Sequence, residues 1–136
     1  MPDVYKTLGQ IVAAGSSAWT TLYTVPYPAA VTRGTAEVTP RAAVDSIQTL
    51  VTSIIVCNTD GSGQTFGISL EGTAADADPP DPGDPGTVNL LFSGAAIATK
   101  ETLVLSLGLT LAPGDYVKAN ASDAGVVFTA MGIETT

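Results

Sequence analysis

The densest group of chemically active side chains in this sequence is a set of aspartates spaced two or three residues apart. They are Asp76, Asp78, Asp81 and Asp84. Because Ca²⁺ takes several carboxylate oxygens from one flexible loop, this spacing is compatible with a cation site. The calcium-loop pattern is not matched, since Pro80 stands at a ligand position and Asp81 where glycine is required. We therefore interpret the cluster as a solvated acidic loop, with a cation site as the alternative.

The residues needed for nucleophilic or acid–base catalysis are absent or isolated. There is no histidine, so neither the serines nor Cys57 has the usual base to activate it. The nucleophile-elbow, P-loop and dinucleotide-binding glycine patterns do not occur. Cys57, the single cysteine, ends an apolar run and is interpreted as a small buried hydrophobe. We predict a protein that is not an enzyme, with no catalytic, cofactor-binding or metal-binding residues and no cofactor.

The aromatic residues could in principle form a stacking platform for a carbohydrate. The candidates are Trp19, Tyr5, Tyr23, Tyr27 and Tyr116. They are scattered along the chain, so packing in the core or at an interface is the stronger interpretation, and a carbohydrate-binding module is the weaker one.

The charge balance bears on the kind of partner. The net charge is −8, and the five cations are spread singly along the chain, as Lys6, Arg33, Arg41, Lys100 and Lys118. This pattern disfavours a nucleic-acid partner or an anionic membrane surface. No apolar run approaches the roughly 20 residues of a membrane-spanning helix, and no basic segment precedes an apolar stretch of signal-peptide length. We expect synthesis in the cytoplasm.

Alternation with period two is the dominant structural signal. Leu103, Leu105, Leu107, Leu109 and Leu111 all project to one side of a single segment, which predicts a strand with one face in the core. Similar short segments are separated by turn residues along the chain. We predict one all-β domain over residues 1–136, an antiparallel β-sandwich or jelly-roll-like fold of about seven or eight strands.

Individual segments give more specific predictions. Leu50 to Cys57 is apolar on both faces and is expected at the centre of a sheet. The turn residues Asn58 to Gly61 are expected to make a hairpin with the strand that follows, which begins near Phe66. Pro113-Gly114 fits the centre of a type II turn. Pro40 to Thr49 is a candidate helix, with a loop as the equal alternative.

Short segments of the chain resemble those of small structural proteins of tailed-bacteriophage virions. The resemblance lies in Tyr5 to Gln10, Leu22 to Pro26, Ser53 to Asn58, Leu107 to Val117 and Phe128 to Glu134. In that family the fourth of these segments has the form LG-x-TLA-x-GD-x-V. The resemblance implies a β-sandwich subunit, often oligomeric, that decorates or joins parts of the particle.

Two segments depart from the family's pattern and read as long irregular loops, residues 27–47 and 71–86. The first carries Arg33 and Arg41, and the second carries five of the thirteen acids together with four prolines. We expect these loops at contacts between subunits, where opposite charges set the register. A solvated spacer is the alternative for the acidic loop.

The functional prediction combines this resemblance with the absence of recognisable chemistry. We predict a virion structural protein, foremost a capsid decoration (cement) protein on the outer head surface, acting as a homotrimer. Its partners would be sister subunits and the major capsid protein or another virion protein. The alternatives are a tail, neck or fibre-attachment component and, less favoured, a carbohydrate-binding module.

Overall fold

The computed structural model describes residues 4–26, 31–33, 36–38, 48–71 and 90–135. Strands account for all the regular structure in these ranges, and no helix occurs in them, as the prediction of an all-β chain requires. The strands are β1 (Val4–Val12), β2 (Thr20–Thr24), β3 (Val31–Arg33), β4 (Ala36–Val38), β5 (Gln48–Asn58), β6 (Gln64–Glu71), β7 (Leu90–Ile97), β8 (Thr102–Leu111), β9 (Tyr116–Ala121) and β10 (Val126–Thr135).

Eight of these strands form two antiparallel four-stranded sheets. Sheet A has the order β1-β10-β5-β8, and sheet B has the order β2-β9-β6-β7. With β3 and β4 set aside, the first strand pairs with the last, the second with the seventh, the third with the sixth and the fourth with the fifth. This nested pairing is that of a jelly roll, so the predicted β-sandwich is confirmed together with its jelly-roll order.

The core fills the space between the inner faces of the sheets. The ring of Phe66 in sheet B lies 6.2 Å from that of Phe128 in sheet A and 6.0 Å from that of Phe92. Edge-to-face and tilted arrangements at these distances are favourable for aromatic pairs. Val51 and Ile54 of β5 are fully buried against them. The predicted central position of this strand is confirmed, because β5 lies between β10 and β8.

The predicted hairpin after Asn58 is wrong. β5 belongs to sheet A and β6 to sheet B, so the chain reverses here by crossing between the sheets. Asn58 explains the tight crossing: its buried amide donates to the carbonyls of Ser62 (2.8 Å) and Ala98 (3.0 Å), and its side-chain oxygen accepts from the amide of Asp60. Turn residues fix a chain reversal, but they do not determine which sheet receives the next strand.

The turn at Pro113-Gly114 has the predicted geometry. The amide of Asp115 donates to the carbonyl of Ala112, and Gly114 has φ of +87°, as the third position of a type II turn requires. The carboxylate of Asp115 also accepts from the amide of Ala112. This turn carries the chain from β8 in sheet A to β9 in sheet B.

Part of the predicted irregular segments can be placed. In residues 27–47, the described parts are β3 and β4, which pair with each other and belong to neither four-stranded sheet. Arg41 and most of the candidate helix from Pro40 lie outside the described residues, while Thr49 belongs to β5. In residues 71–86 only Glu71 is described, and its assignment to a loop is wrong: it ends β6 and is buried.

Candidate interaction surface

One flank of the sandwich, formed by β1 and β2, is closed by direct approach of the two backbones. A β-carbon added to Gly9 in β1 would lie 2.1 Å from the carbonyl oxygen of Leu22 in β2. Only glycine permits this distance. Within sheet A, a β-carbon added to Gly132 in β10 would come equally close to the carbonyl oxygen of Leu50 in β5. We refer to the β1 and β2 side as the closed flank.

A polar cluster joins the two sheets at the closed flank. The hydroxyl of Tyr23 in sheet B donates to a carboxylate oxygen of Glu134 (2.5 Å) in sheet A. Since its only proton is used there, the hydroxyl accepts from the fully buried Thr49 (3.0 Å). Lys6 forms an ion pair with the other oxygen of Glu134. We refer to these four residues as the Tyr23–Glu134 cluster.

The cluster shifts the titration of its two acids in opposite directions. Burial, and then the hydrogen bond to Glu134, raise the pKa of Tyr23 to about 12. The hydrogen-bonded ion pair with Lys6, and then the hydrogen bond from Tyr23, lower the pKa of Glu134. The phenol is therefore held neutral and the carboxylate charged. This arrangement stabilises the junction of the two sheets.

The opposite flank is formed by the edge strands β7 and β8, and no such junction joins these strands within the described part of the chain. Leu103, Leu105, Leu107 and Leu109 point towards the core as predicted, but they are only half-buried, whereas Leu111 at the end of the row is fully buried. Leu91 on β7 is 40% exposed. Neither β7 nor β8 contains a charged residue. We refer to this side as the open flank.

The outer face of sheet A has no charged side chain among its paired positions. The register places outward side chains in rows that cross β1, β10, β5 and β8 in that order. These rows are Tyr5–Ile133–Leu50–Thr110, Thr7–Met131–Ser53–Ser106, Gln10–Thr129–Ile55–Val104 and Val12–Val127–Cys57–Thr102. Every member is apolar or carries a neutral polar group. We refer to this surface as the uncharged face.

Large apolar side chains on the uncharged face are well exposed. Val104 is 62% exposed, Val12 61% and Tyr5 56%. Cys57 is partly exposed in the same surface, so its interpretation as a buried core residue is wrong. The apolar run that contains it occupies a central strand, whose odd-numbered members there point outward rather than into the core. No residue of the chain could serve it as an imidazole base.

The outer face of sheet B has a different character. Ser69, Glu71 and Lys118 lie there and are buried, with Ser69 and Lys118 opposite each other in the ladder. The ammonium group of Lys118 lies 5.7 Å from the centre of the Tyr116 ring. Strand β6 therefore has buried residues on both of its faces. Buried polar side chains on this face distinguish it from the exposed, neutral surface of sheet A.

The aromatic candidates for a carbohydrate platform lie on different surfaces. Tyr5 is on the uncharged face, and Tyr23 lies between the sheets. Trp19 lies over Gly67 on sheet B, where an added β-carbon would come within 2.9 Å of the indole atom Cη2. Trp19 is thus used in packing, and Tyr27 lies outside the described residues.

Within the described ranges, no three histidine, cysteine or acidic side chains come together. Asp76, Asp78, Asp81 and Asp84 lie outside these ranges. In the same ranges there is no helix that is long and apolar enough to cross a membrane.

Comparison of the sequence with protein families and curated proteins, and of the fold with solved structures, gives no match.

Proposed function

We propose that this protein is a non-enzymatic structural subunit of a bacteriophage virion, foremost a capsid decoration protein that docks on the outer head surface through its uncharged face. The observation that carries the proposal is the contrast between that face and the whole chain. A chain of net charge −8 carries no charge on a four-stranded face with several exposed apolar side chains. Exposed apolar surfaces of this kind are typical of interaction sites.

The electrostatics favour the outside of a particle over its lumen. Packaged DNA presents one negative charge per roughly 1.7 Å of duplex axis, so an acidic subunit lining the lumen would be repelled. On the outer surface, the acidic remainder of the molecule faces solvent. The resemblance to virion proteins and the use of jelly rolls in viral capsids support the same assignment.

The dimensions of the uncharged face fit docking on an extended surface. Four strands about 4.8 Å apart and about nine residues long at 3.3 Å per residue cover about 600 Å². Stable interfaces bury about 800 Å² on each partner, so the face alone sits near the lower limit for a specific contact. Many copies on one shell, or further contacts between subunits, would make the attachment stable.

Analysis of purified phage particles tests the proposal. Particle reconstruction is expected to show the protein on the head exterior with the uncharged face towards the shell. Density at the tail, neck or fibres would instead support the alternative location, and absence from purified particles would overturn a virion role.

A pair of matched variants tests the docking face. Val12→Asp adds one charge to the uncharged face at β1, away from β8, whereas Thr24→Asp adds the same charge to an exposed site on sheet B. We expect Val12→Asp to reduce binding to particles about tenfold, because it buries an unpaired charge, and Thr24→Asp to leave binding unchanged. Equal binding by both variants would contradict docking through this face. The homotrimer expected from the sequence remains a separate prediction, which mass measurement on the isolated protein tests: a species of two copies would contradict it.

A further inference from the structure

The four edge strands of the sandwich are unequally protected against pairing with another chain. β1 carries Lys6 and a register shift next to Leu8. β2 is only five residues long and also has a register shift. β7 has two register shifts and a glycine, Gly94, with φ of +64°. Charge, shortness and bulges are the devices that protect sheet edges from pairing.

β8 has the least protection of the four. It is ten residues long and contains no charge and no proline. Its ladder with β5 is interrupted once, beside Leu107 and Gly108, and the alternation of inward and outward side chains continues through the interruption. Among the described strands only β5 pairs with it, so its other edge has free backbone donors and acceptors there.

We propose that β8 pairs antiparallel with β8 of a second copy of this chain, joining the two A sheets into one continuous sheet. The pairing itself does not depend on the proposed function. Only its contribution to docking on a shell rests on that function. A second copy is favoured because β8 is complementary to itself. With Ser106 on the two-fold axis, Leu105 lies opposite Leu107 of the second copy and Leu103 opposite Leu109, so the half-buried leucines continue as one inner row.

The charges that flank β8 favour the antiparallel direction. Lys100 precedes the strand, and Asp115 follows it in the turn at Gly114. An antiparallel pair brings Lys100 of each copy towards Asp115 of the other, at both ends of the contact. A parallel pair would instead bring Lys100 towards Lys100. Glu101 lies at the same end as Lys100. All three side chains also bond within their own chain: Lys100 donates to the carbonyl of Thr59, Glu101 accepts from the amide of Ala98, and Asp115 accepts from the amide of Ala112. These charges therefore orient the pair and add little to its strength.

The pairing also accounts for the size of the uncharged face. One copy offers about 600 Å², near the lower limit for a specific contact. Two paired copies present one continuous face of about 1,200 Å² and two linked attachment points, which raises the effective affinity for a shell without any new type of contact.

Disulfide crosslinking tests the pair directly in the full chain. In a Cys57→Ser background, cysteines are placed singly at outward positions of β8 by Thr102→Cys, Ser106→Cys and Thr110→Cys, and at the opposite edge by Thr7→Cys. We expect a crosslinked dimer from Ser106→Cys, near the axis, and little from the other three. Equal crosslinking along β8 would indicate parallel pairing, and crosslinking at Thr7→Cys alone would indicate another interface; either result overturns the proposal.

A charge variant provides a second readout. Val104→Lys with Ser106→Lys brings four lysines together around the two-fold axis, and Thr7→Lys with Gln10→Lys places the same charge on the uncharged face at β1. We expect the first pair to raise the dimer dissociation constant about tenfold or more, measured by sedimentation, and the second pair to leave it unchanged. A monomeric wild-type protein at micromolar concentration would overturn the pair while leaving particle binding, and thus the proposed function, to be judged separately.

Discussion

The two flanks of the sandwich join the edges of sheets A and B by different kinds of contact. At the closed flank, glycine lets the backbones of β1 and β2 touch, and Tyr23 reaches from one sheet to Thr49 and Glu134 of the other. At the open flank, a row of leucines fills the gap, and the residues that the structure describes form no polar junction there. The closed flank depends on specific geometry, which tolerates little change. The open flank depends on apolar area, which tolerates substitution and can accept another surface.

The largest difference between the flanks is expected from glycine substitutions. Gly9→Ala places a β-carbon 2.1 Å from the carbonyl oxygen of Leu22, so the strands must separate. We expect a loss of about 3 kcal/mol or more in the free energy of unfolding, measured in urea. The control is Gly108→Ala on β8, where the added carbon meets nothing within 4 Å. It should change stability by less than about 1 kcal/mol. Similar losses in both variants would refute the contrast.

An intermediate effect is expected from removing one hydroxyl. Tyr23→Phe leaves the buried Thr49 hydroxyl without its partner and breaks the link to Glu134. The free energy of unfolding should fall by about 1 to 3 kcal/mol. Tyr5→Phe removes a hydroxyl that accepts a long bond from Thr52 on an exposed surface, and its cost should be below about 0.5 kcal/mol. If the two variants unfold at the same urea concentration, the Tyr23–Glu134 cluster does not hold the flank closed.

The smallest effect is a pH dependence carried by the same cluster. The pKa of Glu134 is lowered in the folded protein, so its contribution is present above the unfolded pKa and is lost as the pH falls through the folded value. The pKa of Tyr23 is raised from 10.0 to about 12, so stability falls as the pH rises between these values. The urea midpoint of unfolding, measured across pH, should therefore fall at low pH (the acid limb) and at high pH (the alkaline limb).

Single substitutions assign these limbs to their groups. Glu134→Gln should flatten the acid limb, and Tyr23→Phe should remove its share of the alkaline limb. Substitutions on β8 should alter neither, since that strand contains no ionisable side chain. An alkaline limb unchanged by Tyr23→Phe would mean that the phenol is not held neutral by the junction.

The sequence predicted the strands whose side chains alternate between solvent and the hydrophobic core. β8 is the best example, because its leucine period marks the inner face directly. It could not predict which sheet each strand joins, since Asn58 and Pro113-Gly114 reverse the chain equally well within a sheet or between sheets. β1 was not predicted as a strand, because its mixed polar pattern becomes regular only once β10 lies beside it.

The uncharged face could not be predicted from the sequence for a related reason. Its members come from four strands that are far apart along the chain, and neighbours such as Tyr5 and Ile133 meet only through the register. Only the fold places these neutral residues on one side of the molecule. The cysteine illustrates the same limit, since an apolar run in a central strand does not reveal which members face outward.

The pairing of β1 with β10 has a consequence for the time course of folding. β10 lies between β1 and β5, so sheet A has a gap at its centre until residues 126–135 have left the ribosome. Before then β1 has no partner strand, and Lys6 and the Tyr23 hydroxyl lack the Glu134 carboxylate. Domains dominated by contacts between distant residues fold on a scale of milliseconds to seconds. The nascent chain is therefore expected to acquire protease resistance in a single late step rather than strand by strand.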